Sequence, residues 1–135
     1  MRAVLDPNVL VSALLSPRGT PGGIIRAWND GRFDLVVSAA LLDELGRVLA
    51  YPKLRKRVSE DESRRYLDRL ARDGEVTVDP AEPPKLRSDD PDDDYLIALA
   101  EQSRAAIVSG DKHLLVLADR IPVFSPRDWL DRIPG

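Results

Sequence analysis

The stretch that decides the fold is MRAVLDPNVLVS, residues 1–12, in which a short apolar run ends at an acid and a second apolar run follows. Ala3-Val4-Leu5 predicts a buried β-strand, and residues 8–15 predict a helix directly after it. Asp6 then stands at the carboxyl end of the first strand. Because open α/β sheets bind ligands at this edge, Asp6 is the first candidate functional residue.

The same strand-then-helix alternation continues along the chain. Pro52 predicts the end of one helix, and four prolines predict a loop over residues 79–91. The alternation predicts a single α/β domain over residues 1–135, with a mostly parallel sheet of four to five short strands and helices on both faces. Further strands are predicted at 34–37, 75–78, 105–108 and 121–124, and further helices at 21–29, 39–50, 60–73, 93–103, 112–118 and after Pro126.

Composition removes several classes of chemistry. The 135 residues include no cysteine and one histidine, His113. Disulfides, thiol catalysis and cysteine-based zinc sites are therefore excluded, and a Ser-His-Asp triad is disfavoured. No apolar run reaches the roughly 20 residues that a bilayer requires, so we expect a cytoplasmic protein without a membrane segment.

Charge is distributed unevenly, although the net charge is only −3. Residues 47–72 hold nine Lys or Arg against four Asp or Glu, whereas residues 89–94 hold five Asp and one Pro. A basic region beside an acidic centre suits an enzyme that holds a polyanion and cuts it with a metal, so the arginine-rich helices are expected to bind that polyanion. The alternative is that these arginines are simply solvated on amphipathic helices.

Four acids form the candidate site. Asp6 and Asp111 each follow an apolar strand, Glu44 lies in the helix after the second strand, and Asp93 opens a helix, where the dipole favours an anion. Clustered carboxylates repel one another, and a hard cation such as Mg²⁺ or Mn²⁺ removes that repulsion. Taken singly, each acid also has a structural interpretation as a turn or helix-capping residue.

These residues resemble the PIN-domain family, in its VapC-like toxin–antitoxin branch, over nearly the whole chain. Four motifs in the family's order carry the resemblance. They are the strand-Asp-x-Asn start at 4–12, the acidic helix segment at 42–45, the acid-led helix rich in small residues at 90–100, and the strand-Ser-Gly-Asp turn at 107–115.

The resemblance implies a metal-dependent endoribonuclease that uses Mg²⁺, or Mn²⁺ in its place. It also implies an RNA substrate, a cognate antitoxin protein and a homodimer. The implied catalytic metal ligands are Asp6, Glu44, Asp93 and Asp111, with Asn8 and Ser109 as supporting polar neighbours. Asp93 is chosen over Asp92 and Asp94 because its spacing to Ala98 and Ala100 fits best.

One departure from the family pattern and one other protein class keep other functions open. Pro7 replaces the usual threonine and removes a hydroxyl and a backbone donor beside Asp6. One alternative is therefore a catalytically weak or inactive PIN module that binds RNA or a protein. A receiver domain or a haloacid-dehalogenase-like phosphatase is a further alternative. The latter requires a second Asp where this chain has Asn8, so its pattern does not fit.

Overall fold

A parallel five-stranded sheet forms the centre of the protein, whose computed structural model describes residues 1–134. The strands are β1 (Arg2–Leu5), β2 (Asp34–Val37), β3 (Glu75–Val76), β4 (Ala106–Val108) and β5 (Val123–Phe124). They lie in the order β3-β2-β1-β4-β5, and every pair of neighbours is parallel.

Eight α-helices connect and cover these strands within the described residues. None of them combines the length and the apolar character that crossing a membrane would need. They are α1 (Pro7–Leu15), α2 (Thr20–Asn29), α3 (Ala39–Leu49), α4 (Pro52–Arg55), α5 (Glu60–Asp73), α6 (Asp94–Ser103), α7 (Lys112–Leu115) and α8 (Pro126–Arg132).

Both faces of the central strands are covered by helices. Ala3, Val4 and Leu5 are consecutive in β1, and each is fully buried. Because successive strand residues point to opposite faces, burial of all three requires packing on both sides. Helix α6 packs against β1 and β4. The predicted fold class is confirmed.

The order in which strands are added to the sheet reverses between β1 and β4. Strands β2 and β3 are added on one side of β1, and β4 and β5 on the other. Leu5 pairs with Val108, and the Asp6 N–H donates to the Val108 carbonyl at 2.9 Å. Such a reversal opens a crevice at the carboxyl ends of the two strands, and Asp6 stands at its edge.

Element boundaries differ from the sequence expectation where packing is weak. Strand β3 has two residues instead of four, since Val76 and Val78 are 60% and 81% exposed and contribute little apolar packing. Helix α7 is shorter than predicted, and α4 was not predicted. Pro52 both ends α3 and starts α4, because it supplies no helical N–H but suits a first helical position.

Gly22 permits close packing at the start of α2. A Cβ atom at this position would lie 2.0 Å from the Pro17 carbonyl oxygen, a backbone atom that cannot rotate away. At Gly23 the nearest atom is a Leu130 methyl at 3.2 Å, on a side chain that can move.

Replacing each glycine by alanine separates this clash from helix propensity. We expect Gly22→Ala to lower the free energy of unfolding by about 1–3 kcal/mol, because the backbone must shift. Gly23→Ala is the matched control and should be neutral or stabilising by up to about 1 kcal/mol, through alanine's helix propensity. Urea denaturation measures both, and equal effects would contradict the packing described for Gly22.

Candidate metal centre

Asp6 is held in place from both strands of the crevice. It is 7% exposed and follows β1 directly. One carboxylate oxygen accepts the Asn8 N–H at 3.0 Å, which caps α1, and the other accepts the Ser109 hydroxyl at 2.7 Å. A charge-assisted hydrogen bond to a fully buried serine therefore fixes the carboxylate relative to β4.

Ser109 also positions Asp111. Its hydroxyl oxygen accepts the Asp111 backbone N–H at 3.0 Å, so one hydroxyl links the two acids. The Asp111 carboxylate accepts the His113 N–H at 2.8 Å and thereby caps α7. His113 is itself exposed.

Asp93 joins this edge from the start of α6. Asp90, Asp93 and Asp111 each offer a carboxylate oxygen, and these three oxygens lie within 4.8 Å of one another. Asp90 is the N-cap of the 3₁₀ turn Pro91–Asp93 and accepts the Asp92 N–H at 3.1 Å. Sequence reasoning did not single out Asp90, although an aspartate before a proline at a helix start is a recognisable capping signal.

Asp93 carries the largest electrostatic strain of the cluster. Burial, followed by repulsion from Asp111, Asp90 and Asp6, raises the pKa of Asp93 to about 7. Asp6, Asp90 and Asp111 each accept a backbone N–H at a helix start, whereas Asp93 makes no such capping bond. Its nearest hydrogen-bonding neighbour is the Ser88 hydroxyl, at 3.5 Å.

The three consecutive aspartates at the start of α6 have different environments. Asp92 is exposed, and Asp94 accepts the Ser88 N–H at 2.9 Å and pairs with Arg87 at 3.3 Å. Only Asp93 among the three is buried and belongs to the close group of carboxylates. The geometry therefore agrees with the choice of Asp93, while its chemical role stays a prediction.

Glu44 approaches the cluster from α3. The residue is half-buried, and burial first and repulsion by Asp6 second raise the pKa of its carboxyl, while Arg47 opposes that rise. Glu44 and Asp6 are not members of the group within 4.8 Å, among the residues described. The structure thus brings Asp93 and Asp111 into one close group with Asp90, and places Asp6 and Glu44 near enough for electrostatic coupling.

A polar network joins the start of α3 to α6. The Tyr95 hydroxyl contacts Ser38 and donates to Asp79 at 3.0 Å, and Asp79 accepts the Ala40 N–H at 3.1 Å. Partial burial opposes the charged form of Asp79, but these hydrogen bonds leave its pKa below the ordinary value. The network connects α3, which carries Glu44, to α6, which begins directly after Asp93. Its members are distant in sequence, so no local motif signals it.

Asn8 and Pro7 support the site through the backbone. Asn8 is exposed and contributes its N–H to Asp6, and the structure gives no hydrogen bond for its side chain. Pro7 is the first residue of α1, where a missing N–H costs no helical hydrogen bond. Pro7 is therefore compatible with Asp6 as the cap of α1.

The donor set suits a hard divalent cation. It consists of carboxylate oxygens with a serine hydroxyl nearby, and such all-oxygen sets favour Mg²⁺ or Mn²⁺ over zinc. The unbalanced charge at Asp93 is what a cation would neutralise. Asp6, Glu44, Asp90, Asp93 and Asp111 are the residues that could hold it.

The sequence matches a protein-family model and a relative of similar sequence. The family model described as PIN domain matches residues 2–113. The protein MJ1680 of Methanocaldococcus jannaschii, described as uncharacterized, is 34% identical over 121 residues, covering 88% of this chain and 76% of that protein.

Two solved structures share the fold. PAE2754 of Pyrobaculum aerophilum has a TM-score of 0.64 at 18% identity, covering 98% of this chain and 88% of the other. VapBC2 of Rickettsia felis, solved bound to a DNA fragment from its promoter, has a TM-score of 0.58 at 17% identity, covering 93% and 97%. At these identities the likeness concerns the fold alone.

Replacing Asp93 by Asn tests the repulsion within the metal-free cluster. The folded pKa of about 7 exceeds the ordinary 3.8, so between roughly pH 4 and pH 7 the folded state binds more protons than the unfolded state. Stability contributed by this carboxyl is full below pH 4 and is lost as the pH rises through 7. The neutral side chain of asparagine is not repelled by the neighbouring carboxylates, so the variant does not lose this stability as the pH rises.

In EDTA, we therefore expect the stability of Asp93→Asn relative to the original protein to rise by at least about 1 kcal/mol between pH 5 and pH 8. Urea denaturation at the two pH values provides the measurement. Parallel behaviour of the two proteins would show that Asp93 is not under the repulsion described.

Proposed function

This chain belongs to the PIN-domain family, and on that premise we propose that it is a Mg²⁺- or Mn²⁺-dependent endoribonuclease that hydrolyses RNA phosphodiester bonds. The proposed catalytic metal ligands are Asp6, Glu44, Asp93 and Asp111, with Asp90 at their side. Ser109 and Asn8 are proposed as supporting residues.

One observation carries the proposal: a buried aspartate lies against two further carboxylates, and none of the three forms an ion pair among the described residues. Asp93, Asp90 and Asp111 present oxygens within 4.8 Å of one another, and the one ion pair at this segment, Arg87 with Asp94, lies on a different carboxylate. Holding such groups together is costly unless a positive ion shares them. Stability alone would favour a neutral or paired arrangement.

The chemistry expected at this site follows from the donors. A divalent cation held by these carboxylates supplies Lewis-acid stabilisation of a phosphoryl oxygen and lowers the pKa of a bound water. Phosphodiester hydrolysis needs no covalent nucleophile, and the chain has no cysteine for that purpose.

The chain's own groups orient the site and manage its protons. The Ser109 hydroxyl keeps the Asp6 carboxylate turned toward β4, and the Asp111 N–H keeps that hydroxyl in place. With a pKa of about 7, the Asp93 carboxyl is only partly ionised near neutral pH, and a bound cation would favour its charged form. The Tyr95 network connects the start of α3, the helix that carries Glu44, to α6.

The proposed biological role is that of a toxin in a toxin–antitoxin pair. The fold shared with VapBC2 supports this role, and the motifs of the VapC-like branch add a cognate antitoxin and a homodimer to the proposal. RNA is the proposed substrate, and the proposed location is the cytoplasm, where RNA is present.

Cleavage of RNA tests the proposed activity. We expect the purified chain to cut a structured RNA in Mg²⁺ or Mn²⁺ but not in EDTA. Asp6→Asn should abolish cleavage, since it removes a charge proposed to hold the cation. Asp34→Asn, an exposed aspartate at the amino end of β2, is the control and should cut normally. Gel analysis of end-labelled RNA gives the readout.

The same experiment separates the alternative function. Binding of RNA without cleavage at any Mg²⁺ or Mn²⁺ concentration would reject the ribonuclease and favour a PIN module that binds RNA or a protein partner. Cleavage that persists in Asp6→Asn would reject the ligand assignment.

A comparison of neighbouring aspartates tests which of them is the ligand. We expect Asp93→Asn to lower kcat by at least about 100-fold, because changes even to residues behind a metal ligand cost 10–100-fold. Asp92→Asn alters an exposed residue and should change kcat by less than about threefold. Thermal melts should show both variants folded. The reverse order of effects would move the ligand role to Asp92.

A further inference from the structure

Helices α3 and α5 form an antiparallel hairpin that rises from the carboxyl end of β2. At the base, Gly74 lies against Val37, the last residue of β2. Further along, Gly46 of α3 faces Leu67 of α5. Near the end, the Arg55 guanidinium donates to the Ser63 hydroxyl at 3.3 Å. Ser63 precedes Gly74 by eleven residues, which corresponds to about 16 Å of helix.

The end of this hairpin is strongly basic. The segment from Tyr51 to Ser59, called the basic tip below, contains four Lys or Arg and no Asp or Glu. Lys53, Lys56 and Arg57 are exposed, and within the described residues no ion pair involves them. Their positive charge is therefore uncompensated.

The arginines of α5 are different, although the sequence groups them with the tip. Arg64 pairs with Asp61 at 2.9 Å, and Arg69 and Arg72 both pair with Asp73. Local acids thus offset part of the charge on α5, although Arg65 is exposed and forms no ion pair among the described residues. The unpaired basic residues of this region are those of the tip, Arg47 and Arg65.

Arg47 links the basic tip to the carboxylate cluster. It follows Glu44 by one helical turn, on the same side of α3. Burial raises the pKa of Glu44, and the positive charge of Arg47 opposes that rise, so the two groups lie in one electrostatic environment. Arg47, in the last turn of α3, therefore stands along the chain between Glu44 and the basic tip.

An aromatic side chain stands within the same surface. Tyr51 is 57% exposed, although large aromatic residues are usually buried at least in part. Aromatic rings beside exposed basic residues suit single-stranded nucleic acid, because the ring stacks on a base while the cations contact phosphates. An acidic protein segment would use the cations but has no need of the ring.

We propose that the basic tip binds the phosphate backbone of a single-stranded RNA segment whose adjoining nucleotides reach the carboxylate cluster. This inference rests on the proposed function and adds the surface on which the substrate is held. Lys53, Lys56 and Arg57 contact phosphates, Tyr51 stacks on a base, and Arg47 guides the strand toward Glu44.

Charge reversal at the tip tests the assignment directly. The full-length chain carrying Lys53→Glu, Lys56→Glu and Arg57→Glu is compared with the original protein in EDTA, using a fluorescent single-stranded RNA 20-mer and anisotropy. We expect the Kd to rise at least tenfold at low salt. The slope of log Kd against log salt should fall by about 2, because three phosphate contacts at about 0.7 each are lost.

The matched control reverses three arginines at the opposite edge of the sheet. Arg32, Arg104 and Arg120 are exposed and precede β2, β4 and β5. Reversing them changes the net charge equally and should alter the Kd by less than threefold. A variant with Gln at positions 53, 56 and 57 removes the positive charges without adding negative ones and should weaken binding to an intermediate degree. It keeps the test valid if the Glu variant misfolds. Thermal melts check all of these proteins.

The outcomes separate this inference from the proposed ribonuclease. If the original protein cleaves RNA and the tip variant binds RNA as tightly as the original, the tip assignment is wrong and the ribonuclease stands. If no cleavage occurs but the tip variant loses binding, the ribonuclease fails and the RNA surface stands. Poly-glutamate bound by the tip as tightly as RNA would overturn the assignment in favour of an acidic protein partner.

Discussion

Repulsion between carboxylates is the constraint around which this structure is arranged. Carboxylate oxygens of Asp90, Asp93 and Asp111 lie within 4.8 Å of one another. Asp6 and Glu44 are near enough to be coupled to them electrostatically. The parallel sheet makes this possible because the carboxyl ends of β1 and β4 meet at one edge. Burial on both faces leaves those strands no freedom to separate.

Helix starts reduce the repulsion without removing it. Asp6, Asp90 and Asp111 each accept a backbone N–H two residues further on, at the start of α1, the 3₁₀ turn and α7. The positive ends of these elements thus converge on the acidic cluster. Asp93 accepts no such capping bond, and burial followed by repulsion from Asp111, Asp90 and Asp6 raises its pKa to about 7.

Neighbouring groups also neutralise some of the basic residues and leave others unpaired. Arg64, Arg69 and Arg72 of α5 are paired with acids one turn away or adjacent, whereas the basic residues of the tip form no ion pair among the described residues. The α3–α5 hairpin lifts the unpaired cations beyond the sheet edge that holds the acids. Acidic and basic regions are thus kept apart but on one side of the molecule, which suits a polyanion held beside a metal site.

The sequence by itself determined the strands β1, β2 and β4, most of the helices and the class of the fold. Apolar periodicity and capping residues are local signals, and the capping box at Ser59 and Glu62 is one of them. The motifs also placed Asp6 and Asp111 after their strands. Only the tertiary structure decided that Asp90 joins Asp93, that Tyr95 and Asp79 brace α3, and which arginines stay unpaired. These depend on residues far apart in the chain, whose distance no local pattern encodes, because long-range packing sets it.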